Sequence, residues 1–183
     1  MTLDEGKRKV YMLLDEYSSG GALTRDADIE AKMADFFDTA QKQAAEIKKI
    51  RRMHTIERKA GQTHYPMPAD FLKLVRVWKG DMVTKTFAWK GKSIIIPESE
   101  KAPIEIEYFA LPATIDPNTP GSYEFEVGED AAKALPYFVA SQQLITDLVM
   151  DYGALYAIYR NMLDSLLTSD YLGCELSNSL FRR

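Results

Sequence analysis

Ile29-Glu30-Ala31-Lys32-Met33-Ala34-Asp35-Phe36-Phe37-Asp38-Thr39-Ala40-Gln41-Lys42-Gln43-Ala44-Ala45-Glu46-Ile47-Lys48-Lys49-Ile50 is the stretch on which the reading of this fold turns. Its apolar residues Ile29, Met33, Phe36, Phe37, Ala40, Ala44, Ile47 and Ile50 recur at spacings of three and four, one face of an α-helix. Asp38 and Lys42 stand at i,i+4 on the polar side and add modest support. The pattern predicts a helix from near Asp26 to about Arg52. Downstream the rhythm changes: from Met53 to Val127 the period falls to two and Gly and Pro interrupt every few residues, as in a small antiparallel sheet. After Asp130 helical spacing returns. The expected fold is α+β, a helical bundle with an inserted small antiparallel β domain. It is read as a single domain over 1–183, with helices over 3–52, the β block over 53–127, helices over 130–167 and a mobile tail over 168–183.

Working outward, a first helix is expected to start at Thr2, with Glu5 three residues on completing a capping box. Its apolar side runs Leu3, Val10, Leu14 and Tyr17, and Ser18-Ser19-Gly20-Gly21 ends it. Within the β block, 71–78 carries apolar residues on both faces and reads as a central, doubly covered strand. Gly80-Asp81 and Lys90-Gly91-Lys92 read as hairpin turns. Ile104, Ile106 and Tyr108 alternate with Glu105 and Glu107, a half-buried strand with one wet face. Tyr123, Phe125 and Val127 alternate with Glu124 and Glu126 and are expected to close the block. A helix over 135–148 carries Pro136 near its start, where proline is tolerated. Asp151 is placed to cap the next helix, with its stripe at Leu155, Ile158, Tyr159, Met162 and Leu166.

At 183 residues, 46% hydrophobic and 11% aromatic, the chain is long enough to bury a real core. A net charge of -4 disfavours a general nucleic-acid binder. The one cysteine, Cys174, precludes an internal disulfide. No basic-then-apolar leader opens the sequence, and no stretch reaches the ~18 apolar residues of a membrane span, so a soluble protein without membrane contact is expected.

No catalytic constellation, metal set or cofactor motif emerges. Gly91-Lys92-Ser93 resembles the end of a phosphate-binding loop, but Thr86 stands where that loop needs glycine, and a strand follows instead of a helix. His54 and His64 have no partner at ligand spacing, and Cys174 has no activating neighbour in sequence. Glu105 with Glu107, and Glu124 with Glu126, are paired carboxylates that a small carbohydrate- or ligand-active protein would use, given a shaped pocket. Charge is split along the chain. Lys42, Lys48, Lys49, Arg51, Arg52, Arg58 and Lys59 crowd the end of the long helix, which suits its dipole; a nucleic-acid-binding regulator would use this cluster over 48–59. Glu98, Glu100, Glu105, Glu107, Asp116, Glu124, Glu126, Glu129 and Asp130 form the acidic counterpart. Opposite charge on separate faces suits head-to-tail rings, which makes Lys48, Lys49, Arg51, Arg52, Arg58, Glu105, Glu107, Glu124 and Glu126 candidate subunit-interface residues. In the tail, Leu172, Leu176 and Leu180 lie four apart and, with Phe181, Arg182 and Arg183, form a candidate docking segment.

Three stretches carry a family resemblance: Lys32-Met33-Ala34-Asp35-Phe36-Phe37-Asp38-Thr39-Ala40-Gln41, Tyr65-Pro66-Met67-Pro68-Ala69-Asp70-Phe71, and Leu135-Pro136-Tyr137-Phe138-Val139-Ala140-Ser141-Gln142-Gln143-Leu144. With the order helix pair, strand block, closing helices, the chain resembles the head–tail adaptor (connector or neck) proteins of tailed bacteriophages. That resemblance implies a structural virion protein without enzymatic activity or cofactor, made in the host cytoplasm and resident in the neck. It implies a homo-oligomeric ring, a dodecamer, bound to the portal protein and to a tail or stopper protein, with double-stranded DNA passing through. It also implies that the terminal segment reaches the portal.

Overall fold

The computed structural model describes residues 1–17, 27–84, 87–146 and 152–180. They form α1 (Leu3–Tyr17), α2 (Ala27–Ile47), β1 (Ile50–Thr55), β2 (His64–Pro66), β3 (Phe71–Lys79), β4 (Met82–Thr84), β5 (Ala88–Lys90), β6 (Ser93–Ile95), β7 (Ile104–Ala110), α3 (Glu129–Ala132), α4 (Leu135–Thr146) and α5 (Tyr152–Leu180). The α+β class expected from the sequence is the one observed. The chain packs as two compact units: a helical one from 1–48 with 112–183, and a β one from 49–111.

In the helical unit, α1 opens with the capping box expected of it. The Glu5 N–H donates to Thr2 Oγ1 at 3.3 Å, and the Thr2 N–H donates to Glu5 Oε2 at 2.9 Å. The next free amides of the first turn, Leu3 and Asp4, donate to the carbonyls of Tyr123 (2.8 Å) and Gly121 (3.0 Å), so the chain returning over 121–125 satisfies donors that every helix start leaves open. At the centre stands α4, which packs against α1, α2 and α5. Leu135, Phe138, Val139, Ala140, Ser141, Gln143 and Leu144 are all buried on it. The α2 face buries Met33, Ala34, Phe37, Ala40, Gln41, Ala44 and Ala45, and α5 buries Leu155, Tyr159 and Leu163. Phe37 packs on Phe125 with ring centroids 5.3 Å apart, and Phe138 on Tyr159 at 5.1 Å.

The β unit is two small antiparallel sheets, ordered β1-β7-β3-β4 and β2-β6-β5. On β7, Ile104, Ile106, Tyr108 and Ala110 point into a core shared with Ile56, Tyr65, Val77, Ile94 and Ile96. Two tight hairpins are closed by two-residue loops: Lys79 faces Met82 across Gly80-Asp81, and Lys90 faces Ser93 across Gly91-Lys92. Gly80 (φ 55°) and Gly91 (φ 60°) take the left-handed backbone such turns require. The unit begins and ends side by side, because Ile50 pairs with Ala110.

Five expectations are corrected. The long helix ends at Ile47, and 50–55 is strand β1 paired with β7. Ile50 follows Ile47 by three residues and so prolongs the helical pattern without belonging to it. The β block ends at Ala110: the alternation of 123–127 is real in burial, with Phe125 and Val127 inside, but its one bridge is Thr2 with Glu124. That segment is extended because it lies against the start of α1. On β3, Phe71, Leu74 and Val77 face the core side with Ala110, Tyr108 and Ile106, and two register shifts break the strict period of two, leaving Leu72 exposed. The strand is not covered on both faces. Finally, α5 runs on as backbone helix to Leu180, past the expected end at 167; no proline interrupts it. In its stripe Leu163 is buried where Ile158 was expected, and Ile158 is exposed. Asp151, the expected cap, lies outside the described residues, as do Ser18-Ser19-Gly20-Gly21 and Thr86.

Candidate interaction surfaces

The second face of the four-stranded sheet carries the charge. Cross-strand partners share a face, which sets Arg51, Met53 and Thr55 of β1 beside Phe109, Glu107 and Glu105 of β7. Lys73, Arg76 and Trp78 of β3 lie on the other side of that same row. Glu107 sits between two cations: Arg51 Nη1 is 3.3 Å from its Oε1 and Arg76 Nε 3.8 Å from its Oε2. The Arg51 guanidinium also lies 5.7 Å above the Phe109 ring. The Thr55 hydroxyl donates to Glu105 Oε1 at 3.2 Å. Glu105 and Glu107 are thus members of a polar row on one face of the sheet, Glu107 paired with cations and Glu105 hydrogen-bonded to Thr55, the ordinary use of alternating acids on a strand.

Arg52 and Arg58 also have partners in their own subunit. Arg52 pairs with Asp70, whose other carboxylate oxygen accepts the Tyr108 hydroxyl at 3.0 Å. Burial, then this bond to a carboxylate, pushes the Tyr108 pKa up. Arg58 donates to the backbone carbonyls of Glu100 and Pro97, holding the turn over 97–100. In that turn the Lys79 ammonium, 2.5 Å from Glu100, and then the Ala102 N–H hold the Glu100 carboxyl below its usual range. Lys49 is exposed, and Lys48 is half-buried with its stem near Gly128. His54 and His64 are exposed on β1 and β2, and the Thr63 hydroxyl lies 3.0 Å from His64 Nδ1.

In the helical unit the acidic candidates meet a polar clamp that no sequence pattern singles out. Gln41 is fully buried. Its Nε2 donates to the Ala113 carbonyl (3.2 Å) and its Oε1 accepts the Glu126 N–H (3.0 Å), while the Tyr123 hydroxyl lies 3.1 Å from Nε2. One turn earlier on α2, Asp38 accepts the Ile115 N–H at 3.0 Å and pairs with Lys42 at 2.6 Å. Glu126 accepts the Ala113 N–H at 3.0 Å, and Glu124 is exposed beside Thr2. Such buried amides are invisible to hydrophobic periodicity; the only trace is a glutamine inside an apolar stripe. The same unit carries an open groove of about 470 Å³ lined by Lys9, Met12, Leu13, Lys133, Pro136, Tyr137 and Met162.

Leu172, Leu176 and Leu180 fall on the backbone of α5, with side chains outside the described residues, as is that of Cys174; Phe181, Arg182 and Arg183 lie outside altogether. Among the described residues no three His, Cys, Asp or Glu side chains are grouped to hold a metal ion, and no helix is long and apolar enough to cross a membrane.

A helix pair, α1 and α2, thus leads into the small β unit. The chain belongs to the SU10 adaptor protein family, whose sequence model matches residues 1–95, from α1 through β6. It is accordingly a bacteriophage adaptor, a structural component of the virion that interacts with other virion proteins. No curated protein matches the chain.

Proposed function

We propose that this adaptor works at the neck of a tailed phage, as a ring beneath the portal at the capsid vertex. There it presents a platform to the tail or a stopper protein and encloses a channel through which double-stranded DNA passes. The observation that carries this reading is the family match across α1, α2 and six of the seven strands. A ring of twelve subunits matches the resemblance read from the sequence. The net charge of -4 suits a conduit that must not retain DNA. Arg51 and Glu105 offer exposed charge to a neighbouring subunit, with Lys49, Arg58 and Glu107 in the same unit, and Glu124 and Glu126 are the acidic candidates of the helical unit. The C-terminal part of α5 and the residues beyond it, with Leu172, Leu176, Leu180, Phe181, Arg182 and Arg183, are the proposed portal-docking segment.

The test is reconstitution with the portal encoded by the same phage. Mixing the two should give a complex whose mass corresponds to portal plus a ring of adaptor, and truncation from Ser169 onward should abolish it without unfolding residues 1–146. An adaptor that binds tail proteins but never the portal would overturn the placement.

A further inference from the structure

Among the described residues the four-stranded sheet ends in two edges with no further strand, β1 and β4, and their geometry is complementary. Just past the end of β1, the Ile56 N–H donates to the Ile104 carbonyl at 2.9 Å, and Thr55 faces Glu105. Hydrogen-bonded and non-bonded pairs alternate in an antiparallel ladder. Arg52 and His54 therefore bond toward β7, and Arg51, Met53 and Thr55 turn their N–H and C=O groups outward. On β4, the two-residue loop Gly80-Asp81 makes Lys79 and Met82 the bonded pair, so Val83 turns its N–H and C=O outward.

The side chains agree as well. Met53 shares its face of the sheet with Glu107, and Val83 shares that of Trp78, itself opposite Glu105 on the same face. All neighbours in the order β1-β7-β3-β4 are antiparallel, so with four strands β4 runs opposite to β1. A β4 laid along the β1 of another copy thus pairs antiparallel, with both faces continuous and no side chain flipped; an odd number of strands would not allow this. Met53 (55% exposed), Met82 (69%) and Val83 (48%) place bare apolar surface on these two edges. An uncovered edge is a template for further strands unless a partner occupies it.

We propose that β4 of one subunit adds to the free edge of β1 in the next, Val83 opposite Met53, so that neighbouring sheets run on as one. This rests on the ring reading above and names its contact. Both halves of the contact are in this chain, which favours a second copy over a foreign strand. Because the two edges differ, the interface is heterologous, the type that closes into rings.

Cross-linking tests it. Bonded antiparallel partners lie about 5.5 Å apart at Cα, within disulfide reach. In a Cys174→Ser background, the Met53→Cys, Val83→Cys pair should give a ladder of disulfide-linked species on oxidation, in the purified protein or in assembled particles, and neither single variant should. Met53→Pro removes one outward N–H and no bond to β7; it should lower assembly at least tenfold while leaving the circular dichroism spectrum unchanged. Rings that form without a ladder would overturn the edge pairing and leave the ring standing. A dimer from Met53→Cys alone would replace it with a symmetric β1–β1 contact. A monomer in solution and in particles would overturn the ring and this contact together.

Discussion

The two units solve the same problem with different means. The helical unit wraps a nearly all-buried α4 in three other helices and fixes its one long extended segment with side chains of α2. The β unit shares a thin core between two small sheets and gives its second large face to ion pairs in water. Burying apolar surface contributes far more than exposed ion pairs, which give about 0–1 kcal/mol each. Stability should therefore reside in side chains of the helical unit and of the β core, and the charged row should govern contacts instead.

The sharpest break would come at Phe37, fully buried against Phe125. Phe37→Ala should cost about 3–5 kcal/mol in denaturant unfolding, and Phe36→Ala, at a half-buried position, clearly less. Hydrogen exchange sharpens the comparison: amides of α4 should lose protection in Phe37→Ala while those of β7 keep theirs, and equal loss would mean that the units unfold as one. Next comes the clamp. Gln41→Leu strands the Glu126 N–H and Ala113 carbonyl at a cost of about 1–3 kcal/mol, read as accelerated exchange at Glu126. Tyr159 gives a pH signature. Burial first, then the neighbouring Tyr156, pushes its pKa up to about 12, so the folded state favours the neutral phenol. That stability is complete below the ordinary tyrosine pKa near 10 and drains away as pH rises toward 12. Stability of the native protein should fall by up to about 2 kcal/mol across that window, relative to Tyr159→Phe, which has nothing to ionise. The smallest effect belongs to the charged row. Arg51→Ala should change stability by less than about 1 kcal/mol, and Arg51→Glu should leave a folded monomer that assembles poorly. Unchanged assembly at low salt would show that the row merely keeps the sheet face soluble.

Local chemistry made much of this legible. Thr2 and Glu5 announced the start of α1, glycines at 80 and 91 the hairpins, and the alternation from Ile104 to Tyr108 the buried and wet faces of β7. Where two structures share one pattern, the sequence misled. Ile47 and Ile50 are three apart, in register for a helix, although the second begins a strand. Tyr123, Phe125 and Val127 alternate as a strand does, yet their segment answers to the open amides of α1 instead of to a sheet. For the interaction surfaces, residue type is readable and partnership is not: the charge split suggests separate faces for Arg51 and Glu107, yet they meet on adjacent strands because β1 and β7 pair. The roles of Gln41 and Arg76 are not legible in the sequence, since they depend on neighbours distant along the chain.

The pairing of Ile50 with Ala110 has a consequence for how such a protein changes over time. Departure and return occur at one doorway, so the helical unit experiences everything between as a short closed loop, and loop-closure entropy grows only slowly with length. The β unit is therefore a detachable cassette. Lengthening or trimming its hairpins should therefore leave the fold of the helices unchanged.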